Sequence, residues 1–243
     1  MRQAIAVILR ELIILKRKFW RYFFSFTISP LLYFVTFGWG ARAAANDRME
    51  YSVFILPGLV AMSAMINSFS LSTEINIARF YWKTFDEIRT APVPDWAYVA
   101  GEIVSGIIRG SLAACIVIAM GLLFRVQIAL SPQLLAAVLL TTMTFAALAI
   151  STAMLARSHA DQGMLTSFVI TPMAFLCGTF FPVDAYPAAF QAIIKILPLT
   201  PASQLVRAAA NGRPLPGMEL IYLTVLALAF IAAALFMIGR VRD

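Results

Sequence analysis

The sequence predicts an all-α integral membrane protein with six transmembrane helices, and three observations carry that expectation. Hydrophobic residues make up 61% of the 243-residue chain and charged ones 13%, with a mean hydropathy of +0.85, which leaves too little polar surface to cover a soluble globule. Six apolar runs reach the roughly twenty residues that a helix needs to cross a bilayer: 22–41, 51–71, 96–124, 133–156, 162–181 and 218–238. Basic residues are shared unevenly between alternate connections, as expected of a multi-pass chain. A single membrane domain over 1–243 accounts for the length.

Residues 1–21 precede the first span and read as an amphipathic helix on the cytoplasmic interface. Ile5, Ile8, Leu9, Leu12, Leu15 and Phe19 form one stripe, and Gln3, Arg10, Arg17 and Arg21 the other, with Lys16 placed to snorkel. Arg10-Glu11 interrupts the apolar stretch and no small-residue cleavage site follows, so this is not a cleavable signal. An ordinary basic anchor without a partner is the alternative.

The first span is dense in aromatic residues: Phe23, Phe24, Phe26, Tyr33, Phe34, Phe37 and Trp39. A lipid-facing and interfacial belt accounts for them, and stacking platforms for sugars are the other reading. Pro30, Pro57 and Pro172 put kinks into the first, second and fifth spans.

Between the second and third spans, residues 74–90 are too polar for a bilayer and too regularly patterned for a slack loop. At helical spacing Ile77, Phe80, Tyr81, Thr84 and Ile88 share one face, and Asn76, Arg79, Lys83 and Asp86 the opposite one. That pattern predicts a short docking helix with anchors Phe80, Tyr81, Trp82, Phe85 and Ile88 and a charged rim of Arg79, Lys83, Asp86, Glu87 and Arg89. Lys83 also has Asp86 and Glu87 three and four residues on, a spacing that stabilises a helix locally. The alternative is an amphipathic helix resting on its own membrane domain.

In the third span Glu102 and Arg109 lie seven residues apart and so share a face, predicting an intramembrane polar cluster. A structural cluster is the favoured role, and a proton relay in an ion-gradient-driven transporter the rival one. Beyond the fifth span, residues 182–213 are cut by prolines into pieces too short to cross, 188–197 and 201–211, with Thr200 as a cap, Pro201 in the first turn and Gly212 as the stop. They predict external re-entrant half-helices, allowed only where protein or water covers the broken backbone.

The net charge of +7 raises a nucleic-acid partner, and its distribution argues against one. Twelve basic residues, among them Arg2, Lys16, Arg79, Arg157 and Arg240, fall on one side; six, Arg42, Arg48, Arg125, Lys195, Arg207 and Arg213, fall on the other. With Arg109 these complete the nineteen, and both termini are placed in the cytoplasm. Cys115 and Cys177 lie inside spans and carry no disulfide or metal signature, and the one histidine, His159, sits in a short turn. An intramembrane enzyme would need a cluster of His, Asp, Glu or Cys that this chain lacks.

Four runs, Phe54-Ile-Leu-Pro-Gly-Leu-Val-Ala-Met62, Thr84-Phe-Asp-Glu-Ile-Arg-Thr-Ala-Pro-Val-Pro94, Gly178-Thr-Phe-Phe-Pro-Val-Asp184 and Leu197-Pro-Leu-Thr-Pro-Ala-Ser-Gln-Leu-Val-Arg207, stand in register over nearly the whole chain. In these the chain resembles the permease subunits of type-2 ABC (ABC-2) exporters, in particular the NodJ-like small permeases. The resemblance implies a half-transporter of the bacterial inner (plasma) membrane that pairs with a second copy of itself and with two ATP-binding cassette subunits, which carry the ATP and Mg. It makes 74–90 the coupling helix, with Arg79, Phe80, Tyr81, Trp82, Lys83, Phe85, Asp86, Glu87, Ile88 and Arg89 as contacts to the ATPase subunit. It also implies a lateral opening to lipid beside the first and fifth spans, at Phe26, Tyr33, Phe37, Trp39, Phe175 and Phe180, and export of an amphiphile such as a lipid-linked saccharide, a lipid or a drug. No Gly-x-x-x-x-Gly-Lys-Ser/Thr phosphate loop occurs in the chain, so ATP hydrolysis is expected elsewhere and no cofactor on this polypeptide.

Overall fold

The computed structural model describes residues 13, 17, 19–44, 48–83 and 94–242, and every regular element among them is helical. α1 spans Phe19–Ala44, α2 Arg48–Phe69 and α3 Leu71–Phe80. α4 covers Asp95–Leu123 and α5 Pro132–Leu155, the latter started by Ser131, whose hydroxyl accepts from the Leu134 amide at 3.2 Å with Pro132 in the first turn. Next come α6, His159–Leu165, a π turn at Thr166–Ile170 and α7, Thr171–Leu176. After a 3₁₀ turn at Val183–Ala185, α8, Ala188–Ile196, meets α9, Leu199–Ala210, at 84°, and α10, Gly217–Arg242, closes the chain.

Four helices among the described residues are long and apolar enough to cross a membrane: Tyr51–Phe80, Asp95–Leu123, Pro132–Leu155 and Gly217–Arg240. The bent pair α8–α9 passes the same test only as a unit, and α1, 26 residues long, is apolar over Tyr22–Phe37 among its described side chains. Residues 1–12 of the expected interface helix lie outside the described residues, as do 84–93.

Several expectations are corrected. The fifth span is not one α-helix over 162–181: it starts at a capping box of Ser158 and Asp161, loosens into the π turn, and ends at Leu176. Of the helix expected over 74–90, residues 84–90 lie outside the described residues, and the described part is α3. It continues from α2 through Ser70, itself in helical conformation, and ends at Phe80, with Lys83 at φ 54, a left-handed value that no continuing α-helix accepts. Thr200 does not cap α9, which begins one residue earlier; its hydroxyl donates instead to the Ile194 carbonyl and ties the two half-helices together. Gly212 is the expected stop: at φ +66 it lets its own amide reach the Ala209 carbonyl and the Arg213 amide reach Ala208, a Schellman closure.

α2 is the hub, packed on α1, α4, α5 and α9. Its wall of Ile55, Leu56, Leu59, Met62 and Met65 is fully buried. Close approach to α4 depends on Gly106 and Gly110, a Gly-x-x-x-Gly pair used here within one chain. A Cβ at Gly110 would lie 2.0 Å from Ser68 Oγ, 2.6 Å from Thr142 Cγ2 and 2.8 Å from the Ala64 carbonyl oxygen. At the other end of α2, a Cβ at Gly58 would lie 2.4 Å from the Thr179 carbonyl oxygen. By contrast α10 buries one stripe on α5 and turns Met218, Ile221, Val225, Leu228 and Phe236 outward, as a lipid-facing helix does.

These contacts predict opposite signs for one substitution type. Gly58→Ala and Gly110→Ala overpack the bundle and cost about 1–3 kcal/mol each. Gly163→Ala meets nothing within 4 Å and adds helix propensity, so it is neutral or stabilising. Melting of the three purified variants in detergent checks this; equal curves would mean that α2 does not pack as closely as described.

Candidate functional site

The Tyr51–Phe80 run is 30 residues, about 45 Å at 1.5 Å per residue, against roughly 30 Å of hydrocarbon. Its last turns, α3, therefore extend beyond the apolar layer, and they are where most of the polar side chains gather. Ser72, Ile75 and Asn76 are buried. Asn76 Nδ2 donates to Gln162 Oε1 at 3.0 Å, Gln162 Nε2 donates to Ser72 Oγ at 2.9 Å, and Ser72 passes its own proton to the Phe69 carbonyl at 2.8 Å. A continuous chain of donors thus joins α3 to α6, whose first turn is fixed by Asp161 Oδ2 accepting from the Ser158 and Arg157 amides at 3.1 Å.

Two more side chains bind α3 to the body. The Arg79 guanidinium donates to the Ala153 carbonyl and, at 3.5 Å, to that of Ala156, filling acceptors freed at the end of α5, and it lies 5.0 Å from the Phe80 ring. Glu74 Oε1 is 2.6 Å from an Arg109 guanidinium nitrogen of α4, and the Tyr22 hydroxyl of α1 donates to the same oxygen at 3.3 Å.

The polar face expected to look outward is thus turned partly inward: Asn76 is fully buried and Arg79 is spent on backbone carbonyls. What projects is the tip. Tyr81 and Trp82 are 66% and 70% exposed, Lys83 is exposed, and Phe80 is half-buried behind them. Tyr81 leans edge-on against His159 at 5.7 Å. Phe85, Asp86, Glu87, Ile88 and Arg89 lie outside the described residues. Glu102, 2% exposed, and Arg109, 3% exposed, are both buried in α4, but the carboxylate that meets Arg109 at 2.6 Å is that of Glu74.

At the opposite end, four of the six residues expected beside a lateral opening come together. Phe180, 1% exposed, stands at the centre, with ring centroids 4.5 Å from Phe37, 5.4 Å from Phe175 and 5.6 Å from Tyr33. Phe26 is elsewhere, buried 5.6 Å from Tyr22, and the Trp39 side chain is outside what the structure describes. The cluster sits on an irregular turn, 177–181, with Gly178 at φ +79. Three side chains take up its carbonyls: Ser203 donates to Cys177 at 2.8 Å, Arg207 to Gly178, and Tyr51 to Phe180 at 3.2 Å. Arg207 also reaches the Phe54 carbonyl at 3.4 Å and lies 3.9 Å from its ring. Reasoning from sequence assigns neither Ser203 nor Arg207 a role; their i, i+4 spacing on a proline-started helix was the available signal.

No group of His, Cys, Asp and Glu among the described residues can hold a metal ion. Two open hollows flank the half-helices. One of about 680 Å³ lies between Val53, Gln127, Ala210 and Arg213; the other, about 500 Å³, lies between Asp184, Lys195, Gln204 and Tyr222.

Comparison with known proteins agrees with this arrangement. The ABC-2 type transporter family matches residues 2–210. The inner membrane transport permease YadH of Escherichia coli K12 is 27% identical over 175 residues, covering 71% of this chain and 68% of that protein. Nodulation protein J of Rhizobium meliloti is 33% identical over 191 residues, covering 76% and 72% respectively, and that of Rhizobium leguminosarum bv. viciae 31% over 182 residues, covering 73% and 70%. With long apolar helices, a sharply bent helix pair and a family match over most of its length, the chain belongs to the ABC-2 type transporter family.

Proposed function

We propose that this chain is the transmembrane permease subunit of an ATP-driven exporter in the bacterial inner membrane. Two copies pair with two ATP-binding cassette subunits, which bind ATP and Mg, and both termini are cytoplasmic with the chain crossing six times. The observation that carries this reading is the tip of the 51–80 helix: aromatic, exposed, and held by buried polar bonds on a chain that has no phosphate loop. A rigidly mounted Tyr81-Trp82-Lys83 knob suits a cleft on a soluble subunit, because aromatic anchors on fixed backbone lose little entropy on burial. The family name and the permease title of the Escherichia coli relative support the same assignment.

The cargo is an amphiphile: a lipid-linked saccharide, a lipid or a drug. Tyr33 and Phe37 of α1 meet Phe175 of α7 and Phe180 of the following turn through ring contacts. Such contacts part and re-form without stranding a polar group in lipid, which suits a lateral gate. Closure of the ATPase subunits pushes on α3, and the helix bundle answers by separating α1 from α7 there.

Two experiments test this. Tyr81→Ala with Trp82→Ala removes anchors worth about 1–3 kcal/mol each, so the ATPase subunit should copurify far less at matched expression, whereas Lys83→Ala costs little. Undiminished copurification by the double variant would reduce the tip to an ordinary surface. For the orientation, Cys115 and Cys177 are first replaced by Ala. A cysteine at Ala188 should then react with an impermeant thiol reagent from outside intact cells, and one at Trp82 only after permeabilisation; the reverse pattern would invert the topology.

A further inference from the structure

We infer that Arg109 and Glu74 form a positioning pair through which movement of the docking tip is passed to α4, an inference that rests on the docking role of α3 proposed above. Arg109 stands near the middle of α4 with its side chain 4% exposed, and it extends to Glu74, 42% exposed, at 2.6 Å. Its charge is thus drawn from inside the bundle toward the protruding end. Tyr22 closes the arrangement: its hydroxyl donates to Glu74 Oε1 at 3.3 Å and its ring lies 5.6 Å from the Arg109 guanidinium. One carboxylate therefore serves three helices.

The packing around the pair gives it leverage. α2 is in close contact with α4 along its length, helped by Gly106 and Gly110, but beyond Ser70 the contact between α3 and α4 is slight. Asn76 and Arg79 fasten α3 to α6 and α5. Among the described residues the Glu74–Arg109 bridge is a direct ion-pair tie between the docking end and α4. Parting the pair would leave the buried Arg109 guanidinium without its Glu74 partner, which costs more than a small shift of the helix that carries it. When α3 is pushed, α4 follows, carried by a pair that stays closed.

The test uses the complete complex with the ATP-binding cassette subunits, reconstituted in phospholipid vesicles, with Cys115 and Cys177 replaced by Ala. Cys177 engages Ser203 through its carbonyl, so that bond survives the replacement. A spin label at Leu123→Cys, an exposed position at the far end of α4, reports the spectral change on adding ATP and orthovanadate. In Glu74→Gln and in Arg109→Gln the complex should still assemble and hydrolyse ATP, while the label's response falls about fivefold or more, the scale of a lost coupling between sites. The swapped protein, Glu74→Arg with Arg109→Glu, should recover most of the response, which a merely structural role would not predict. A full response in either single variant, or a folded swap no better than the singles, overturns the proposal. Should the single variants misfold, Tyr22→Phe keeps both charges and decides instead: the response should fall in part, and an unchanged one overturns the pair's role. A wild-type complex that never forms overturns the docking reading and the pair with it, whereas an intact complex with an unaltered response overturns the pair alone.

Discussion

Lipid offers no hydrogen bonds, and several departures of the described chain from a straight apolar helix are matched by side chains that supply what water would have supplied. The turn at 177–181 is the plainest instance. Its backbone leaves the helix within the bundle, and Ser203, Arg207 and Tyr51 each donate to one of the exposed carbonyls. Arg79 does the same for the last turn of α5 through Ala153 and Ala156. Arg109, whose charge no solvent reaches, is met by the Glu74 carboxylate. The broken backbone and the charged side chains are therefore parts of one solution, and removing a donor strands an acceptor rather than merely deleting a bond.

Close packing supplies the rest of the order. Without a hydrophobic drive between helices in lipid, association relies on intimate contact, and small residues permit it. Gly58 lets α2 touch the backbone at Thr179, and Gly106 and Gly110 let α4 nest on α2 and α5 so closely that the Ser68 hydroxyl reaches the Gly106 carbonyl at 3.0 Å. A helix held by backbone contact on two faces moves as a rod. The outward faces of α1 and α10, with Phe24, Ile28, Leu32, Leu228 and Phe236, make no such demands.

The fold class was legible because transfer of apolar side chains into lipid is additive along a run, so length and composition suffice to recognise long helices. The bent pair of half-helices was legible because proline and glycine act locally: Pro198, Pro201 and Gly212 mark its breaks wherever the partners lie. Side-chain partners were not legible. Asn76 and Arg79 read as a wet face because a helical wheel equates polar with water, whereas at the edge of a membrane bundle the polar environment is the protein itself. Glu102 and Arg109 share a face by spacing, but the carboxylate found 2.6 Å from Arg109 comes from a different helix that no spacing rule could name. The aromatic grouping lies between these cases: Tyr33, Phe37, Phe175 and Phe180 were chosen by family resemblance and do meet, but through a turn whose shape only the fold supplies.

Both candidate sites are built on the same helical run. Tyr51, Phe54 and Gly58 at one end of the 51–80 run hold the turn beneath the aromatic cluster; Glu74, Asn76 and Arg79 at the other hold the tip. Between them the run is interrupted once, at Ser70, where the hydroxyl donates to the Asn67 carbonyl at 2.7 Å and the amide to Ile66 at 2.9 Å, so helical bonding is not lost. A force applied at Trp82 is borne by a helix about 45 Å long and cannot be absorbed locally in a close-packed interior. It must either bend the run at Ser70 or shift the Gly58 contact against Thr179. The first outcome is resisted by the Asn76–Gln162–Ser72 chain, which fastens α3 to α6 on the tip side of that bend. The path of least resistance therefore runs the length of α2 to the turn that carries Phe180, where the neighbouring rings are held to one another by contact alone.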